Sequence, residues 1–192
     1  MTPAPSRAPR LGPDFPAVLA RARAGEPTAF ERLYRAFAGS VAGYLRLQGA
    51  EDPDGLTNDV FLAVFSQVGT FAGDEDGFRS WLFTIAHRRA VDDRRRRSRR
   101  PQVADGVEAD GAGPLGDGEA DALRRLGTDW VCDLAAGLAP DQRDVVLLRM
   151  VAGMTIDEVA EALGKAPTAV KALQRRGVEA LRRRFAREGV SR

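Results

Sequence analysis

The sequence has very few of the residues from which metal sites and disulfides are built. It contains one cysteine, Cys132, and one histidine, His87. A single cysteine excludes an internal disulfide, and one cysteine with one histidine is too small a ligand set for a protein zinc site. We therefore expect the protein to work without a metal ion or any other cofactor.

Long apolar runs are also missing. No stretch approaches the roughly 18 apolar residues that a membrane span needs, and the N-terminus lacks the apolar segment of a secretory signal. The sequence therefore predicts a cytoplasmic protein without membrane insertion. Apolar and polar residues do not alternate with the strand period over any useful length, so the expected fold class is all-α.

Lysine is nearly absent as well, but the basic residues that are present are unevenly distributed. The net charge is only +2. Positive charge is nevertheless concentrated in residues 79–100 and 165–192, whereas residues 101–122 carry six acidic and no basic side chains. Two basic segments on either side of an acidic one suggest that the chain holds a polyanion at two places. Arginine-rich faces that are merely solvated would give the same pattern.

The periodicity divides the chain into two helical parts. Residues 1–13 are proline-rich and are predicted to be a disordered tail. Residues 14–100 read as amphipathic helices, with the stretch DPDG predicted as a turn and GTFAGDEDG as a loop. Residues 101–128 are rich in glycine and aspartate and are predicted to be a flexible linker. The helical pattern resumes over residues 129–187.

The second helical part has the spacing of a helix-turn-helix. Thr155 can cap a short helix, which Gly164 can end in the left-handed conformation. Pro167 suits the first position of the next helix. The outward face of that helix is cationic and could enter a major groove of DNA. Its members are Thr168, Lys171, Gln174, Arg175 and Arg176. An ordinary three-helix bundle with a basic surface is the alternative.

Several segments together resemble bacterial RNA polymerase sigma factors of the sigma-70 family, of the extracytoplasmic-function (ECF) type. AFERLYRAFAGSVAGYL and LTNDVFLAVF resemble region 2 of that family. FRSWLFTIAHRRAVDDRRRR resembles its helix beside the −10 promoter element, and the segment from GLAPDQRD to GVEALR resembles region 4. The resemblance implies a region 2 helical bundle over residues 14–100. It also implies a region 4 helix-turn-helix over residues 129–187, joined to region 2 by the acidic linker.

The resemblance also implies roles for individual residues. The residues that would bind core RNA polymerase are Thr57, Asn58, Asp59, Phe61 and Gln67. A loop that holds a base flipped from the −10 element, followed by arginines that contact phosphates, would form a second set. This second set comprises Gly73, Asp74, Glu75, Asp76, Phe78, Arg79, Arg88, Arg89, Arg94 and Arg95. The outward residues of the helix that begins at Pro167, given above, would read the −35 element; this helix is called the recognition helix.

The expected function is that of a non-enzymatic promoter-specificity subunit. It would bind core RNA polymerase, direct it to specific promoter DNA and help to melt the −10 element. The family also implies an anti-sigma factor as a partner. Two other classes stay open. One is a free-standing helix-turn-helix regulator that binds DNA without polymerase. The other is a metal-dependent nuclease built on Asp74, Glu75 and Asp76, although successive loop carboxylates have no fixed convergent geometry.

Overall fold

The computed structural model describes residues 10–99 and 129–187, which form two groups of helices. The N-terminal group comprises α1 (Phe15–Arg23), α2 (Pro27–Leu47), α3 (Pro53–Gln67) and α4 (Glu75–Arg99). The C-terminal group comprises α5 (129–136), α6 (Pro140–Met150), α7 (Ile156–Leu163) and α8 (Pro167–Arg187). Within these residues there is no strand, which confirms the predicted all-α fold class. The predicted linker over 101–128 lies outside the described residues.

The N-terminal tail was predicted to be disordered as far as residue 13, and most of it also lies outside the described residues. Its last part is described from Arg10 onward and lies against the start of α4. The backbone N–H groups of Leu11 and Gly12 both donate to the Glu75 carboxylate, at 2.6 and 2.9 Å. Residues 10–13 are therefore held in place by α4.

Local caps correct two of the predicted loop boundaries. The stretch DPDG is the start of α3 and not a turn, because the Asp52 carboxylate accepts a hydrogen bond from the Gly55 N–H at 2.8 Å and Pro53 occupies the first helical position. In the same way, the Asp74 carboxylate accepts from the Gly77 N–H at 2.8 Å, and α4 begins at Glu75. Acidic residues in a first helical turn are favoured by the helix dipole.

Aromatic rings fill the core of the N-terminal group. Phe78 of α4 is completely buried, and its ring centroid lies 5.5 Å from those of Phe15, Phe37 and Phe71. These partners come from α1, from α2 and from the segment before α4. One side chain of α4 therefore ties the first residues of the bundle to its last helix.

The C-terminal group contains the predicted helix-turn-helix. Thr155 and Glu158 form a reciprocal capping box at the start of α7. Gly164 ends this helix with φ of 62° and ψ of 35°, in the left-handed region that glycine tolerates. Val170 and Leu173 of α8 are buried, so the opposite face of α8 is turned to solvent.

Candidate nucleic-acid and polymerase interfaces

The outer face of α3 is exposed and carries part of the residue set expected to bind polymerase. Asn58, Asp59 and Gln67 are exposed, and the Asn58 side chain accepts a hydrogen bond from the Tyr34 hydroxyl at 3.0 Å. Leu62 lies one turn after Asn58 and is 69% exposed. Single exposed apolar side chains are common on protein surfaces, and this one lies on the same helical face as Asn58.

The other two members of that set face inward. Thr57 is buried, and its hydroxyl donates to the Pro53 carbonyl at 2.7 Å. Phe61 is buried as well, with its ring centroid 4.8 Å from that of Tyr34 and 5.5 Å from that of Phe65. These two residues position α3 from inside the bundle rather than forming its outer surface.

The acidic residues at the start of α4 are each bonded to a different partner. Asp74 caps the helix, Glu75 accepts from the N-terminal segment, and Asp76 pairs with Arg10 at 2.6 Å. Within residues 10–99 and 129–187, no three His, Cys, Asp or Glu side chains are grouped where they could hold a metal ion. This geometry gives no support to the nuclease hypothesis.

A small cleft lies beside these residues. It has a volume of about 240 Å³ and is lined by Gly12, Phe15, Pro16 and residues 73–76. Gly73 and the Asp74 side chain are exposed to it. Phe78, which the resemblance placed in a pocket for a flipped base, instead points into the core. Its ring packs against that of Phe15, which lines the cleft.

Arg79 is the arginine whose position departs most from the expected phosphate contact. It is only 6% exposed. Its Nε donates to the Ala152 carbonyl at 2.6 Å and its Nη2 to the Val151 carbonyl at 2.9 Å, so both partners belong to the C-terminal group. Burial lowers the pKa of Arg79 from its ordinary value, although a guanidinium remains charged.

The remaining arginines of α4 differ in their surroundings. Arg88 and Arg89 line a cleft of about 590 Å³ that is formed by α3, α4 and α7. Arg94 is half-buried and lies 4.0 Å from the Asp144 carboxylate. Arg95 is exposed. The cationic end of α4 is therefore partly turned toward the C-terminal group and partly toward solvent.

The recognition helix α8 presents its predicted face outward. Thr168, Lys171, Arg175 and Arg176 are exposed, and Gln174 is half-buried. Lys171, Gln174 and Arg175 line one shallow groove together with Arg182. The capping box at the start of α7 and the left-handed Gly164 at its end fix the direction of α8 relative to α7. The arrangement can place cationic and amide groups against the base edges and phosphates of a DNA groove.

Comparison with known families accounts for both groups of helices. The model for Sigma-70 region 2 matches residues 29–100, and the model for Sigma-70, region 4 matches residues 130–181. Together they cover about two thirds of the chain. The chain belongs to the sigma-70 family.

Similar proteins place this sigma factor in the ECF group. The ECF RNA polymerase sigma factor BldN of Streptomyces coelicolor is 33% identical over 165 residues, which are 85% of this chain and 62% of BldN. The chain thus matches less than two thirds of that relative's length. The ECF RNA polymerase sigma factor SigK of Mycobacterium sp. (strain KMS) is 28% identical over 182 residues, which are 93% of this chain and 94% of SigK.

A solved structure agrees with this sigma-factor fold. CnrH, determined in complex with the cytosolic domain of CnrY, superimposes with a TM-score of 0.66 at 24% sequence identity, over 90% of this chain and 97% of CnrH. The similarity to CnrH supports the fold alone, whereas the two family matches confirm the resemblance and the predicted class, a sigma factor of RNA polymerase. No helix in the described part of the sigma factor is both long and apolar enough to cross a membrane.

Sequence reasoning missed some notable residues of this sigma factor. Leu62 was left out of the polymerase set, although its spacing from Asn58 already places it on the same helical face. Gln48, Ser80 and Asp144 were also missed, and all three hydrogen-bond between the two groups of helices. No sequence signal could have found these, because their partners are more than 70 residues away.

Proposed function

We propose that this ECF sigma factor binds core RNA polymerase, directs it to specific promoters and helps to melt the −10 element. Residues 14–100 act as the region 2 domain, residues 129–187 as the region 4 domain, and residues 101–128 as the linker. The observation that carries the proposal is the presence on one chain of an outward α3 face and an outward cationic recognition helix, each in the matching sigma-70 region.

Polymerase binding is assigned to the outer face of α3. Leu62 supplies an apolar contact that loses its water on docking, while Asn58, Asp59 and Gln67 form the polar surroundings. Thr57 and Phe61 contribute indirectly, because their buried contacts hold α3 at its present angle. The chemistry of RNA synthesis belongs to the polymerase, so the sigma factor itself has no catalytic role, and it works in the cytoplasm.

Promoter binding is assigned to two surfaces. On the −35 side, Lys171, Gln174 and Arg175 contact base edges and phosphates, with Thr168 and Arg176 at the margin. On the −10 side, a flipped base enters the cleft beside Gly73 and residues 74–76, with Phe78 behind it. The arginines that follow this opening DNA along α4 are Arg79, Arg88, Arg89, Arg94 and Arg95. Phosphate contacts of this kind give affinity with a steep salt dependence.

An anti-sigma factor is the further partner we propose. The family resemblance suggests it, and the structure of CnrH was determined with the cytosolic domain of CnrY bound. The exposed apolar Leu62 on α3 is a suitable contact for such a protein. An anti-sigma factor on α3 would compete directly with core polymerase for the same surface.

Two substitutions test the assigned surfaces against each other. Leu62→Asp places a charge on an exposed apolar contact and should abolish binding to core RNA polymerase, while Leu62→Met should preserve it. Lys171→Ala should leave polymerase binding unchanged but weaken run-off transcription from the cognate promoter about 5- to 150-fold, as expected for the loss of one base or phosphate contact. Each variant therefore serves as the control for the other.

Three results would contradict the proposal. The first is a wild-type chain that fails to bind core polymerase in a sedimentation or gel-filtration assay. The second is polymerase binding by Leu62→Asp at wild-type affinity. The third is tight, sequence-specific binding of promoter DNA by the free chain, which would favour a helix-turn-helix regulator that works without polymerase.

A further inference from the structure

The cleft beside the start of α4 has two walls that come from distant parts of the chain. One wall is formed by residues 73–76, and the other by Gly12, Phe15 and Pro16. Residues 73–76 alone would form a surface that is open on one side. The second wall therefore turns this surface into a cleft that can enclose a flat group.

Residues 10–12, called here the N-terminal segment, are bound to the first wall by the Glu75 carboxylate. Its Oε1 accepts a hydrogen bond from the Leu11 N–H at 2.6 Å, and its Oε2 accepts one from the Gly12 N–H at 2.9 Å. Hydrogen bonds to a carboxylate are about twice as strong as those between neutral groups. Glu75 thus holds Gly12, which itself lines the cleft, at a fixed distance from the opposite wall.

Arg10 offsets a second carboxylate of the same wall. Its Nη2 lies 2.6 Å from Asp76 Oδ1. Three successive carboxylates repel one another and also the phosphates of DNA. The guanidinium of Arg10 and the two N–H groups bound to Glu75 offset two of these three charges. Within the described residues, Arg10 and Leu11 act from outside the cleft, because neither belongs to its lining.

The N-terminal segment is also fixed to its own side of the cleft. Leu11 is half-buried and packs against the core of the helical bundle. Gly12 has φ of 58°, in the left-handed region, and there the chain enters the short 3₁₀ turn Gly12–Asp14. Asp14 in turn accepts from Arg32 of α2 at 2.7 Å. The position of Gly12 is therefore determined by Glu75 on one side and by this turn on the other.

We propose that the N-terminal segment is a positioning element for reading the −10 DNA. It holds Gly12 in the wall and offsets the charges of Glu75 and Asp76, so that an uncharged base can enter while its flanking phosphates stay close. Extracting a base from its stack is costly, so the pocket must be formed beforehand. The inference rests on the function proposed above, in which a flipped base enters this cleft. It extends the base-reading site to residues that precede the matched region 2.

Leu11→Pro tests the hydrogen bond between the N-terminal segment and Glu75. Proline removes the N–H donor and fits the local backbone, because Leu11 has φ of −78° and proline prefers about −65°. Leu11→Ala is the matched control, since it also loses the leucine side chain but keeps the N–H. Each variant is bound to core RNA polymerase, and its affinity is measured for a fluorescent single strand with the non-template −10 sequence of the cognate promoter.

The measurement that isolates the cleft compares intact and abasic DNA. The same strand is made with an abasic site at each position in turn, and the ratio of intact to abasic affinity measures how well each base is held. Leu11→Pro should lower the largest of these ratios about 10-fold, as expected for the loss of one hydrogen bond to a charged group. Leu11→Ala should keep the wild-type ratio. Weaker folding or weaker polymerase binding would affect both strands equally and leave the ratio unchanged.

Arg10→Asp tests the electrostatic part of the proposal in the same assay. It should lower the same ratio about 5-fold, the upper end expected for an exposed ion pair, and Arg10→Lys should preserve it. Arg23→Asp is the charge control, because Arg23 is exposed at the end of α1. This control should weaken binding of the intact and the abasic strand alike.

The outcomes separate this inference from the proposed function. A lower ratio in Leu11→Pro and Arg10→Asp, with wild-type ratios in their controls, supports the positioning role. Wild-type ratios in both test variants would overturn that role and leave the proposed function intact. If the wild-type sigma factor shows no position at which the base contributes to affinity, no base enters the cleft, and both proposals fail.

Discussion

Phe78 offers the sharpest test of what the start of α4 does. Its ring is completely buried, with centroids 5.5 Å from three other phenylalanine rings and 5.7 Å from Trp81. Replacing a buried phenylalanine by alanine costs about 3–5 kcal/mol. Aromatic pairs contribute about 0.5–1.5 kcal/mol each beyond the buried area. We therefore expect Phe78→Ala to lower the free energy of unfolding by an amount near the top of the first range.

This loss is large compared with the total stability of a small domain, which is about 5–15 kcal/mol. Urea unfolding followed by far-ultraviolet circular dichroism gives the free energy of unfolding for each variant. Phe185→Ala is the control, because Phe185 is 37% exposed and lies near the end of α8. It should cost less than half as much as Phe78→Ala.

The opposite pattern would refute the reasoning from burial. If Phe78→Ala lowered the free energy of unfolding by less than about 1 kcal/mol but strongly impaired melting of the −10 element, the ring would be acting on DNA. The aromatic cluster would then not be the support of the cleft that the structure describes.

Two further predictions concern stability. Burial is the main cause that lowers the pKa of His87. The negative charge of Asp144 raises this pKa, and the positive charges of Arg94 and Arg88 lower it further. Because the unfolded chain then binds the proton more readily, the free energy of unfolding should be fully present above pH about 6.5 and fall as the pH decreases from there toward the folded-state pKa. Since His87 is the only histidine, His87→Gln should remove this dependence in a urea series between neutral and mildly acidic pH. Gly164→Ala should lower the free energy of unfolding by about 1–2 kcal/mol, measured by urea unfolding, because φ is 62° and a Cβ there meets no atom within 4 Å that could compensate or clash. An increase in stability would contradict that argument.

The helix-turn-helix could be predicted from sequence because its boundaries are set locally. Thr155 caps α7 through a residue three positions away, and Gly164 ends it through its own backbone conformation. Pro167 then starts α8. Each of these signals acts within a few residues, so no knowledge of the tertiary structure is needed to interpret them.

The start of α4 was harder to predict because its residues are compatible both with a loop and with the first turn of a helix. Glycine and aspartate are common in loops, but Asp74 acts here as a cap, so that Glu75, Asp76 and Gly77 become helical. The same ambiguity led to a turn being predicted at Asp52. Local composition favoured loops, whereas the hydrogen bonds of two aspartates decided the helix boundaries.

The surroundings of individual arginines could not be predicted at all. The basic stretch at the end of α4 indicated a polyanion, and the sequence gives no reason to separate Arg79 from Arg95. In the structure, Arg79 is buried against the other domain whereas Arg95 is exposed. This difference arises from how the two domains pack, which depends on contacts between residues far apart in the chain.

Glu158 uses its two carboxylate oxygens for different purposes. Oε2 accepts from the Thr155 backbone within the helix-turn-helix, and Oε1 accepts from Ser80 across the interface. The capping box is complete within residues 155–158, so the start of α7 keeps its cap without any contribution from Ser80.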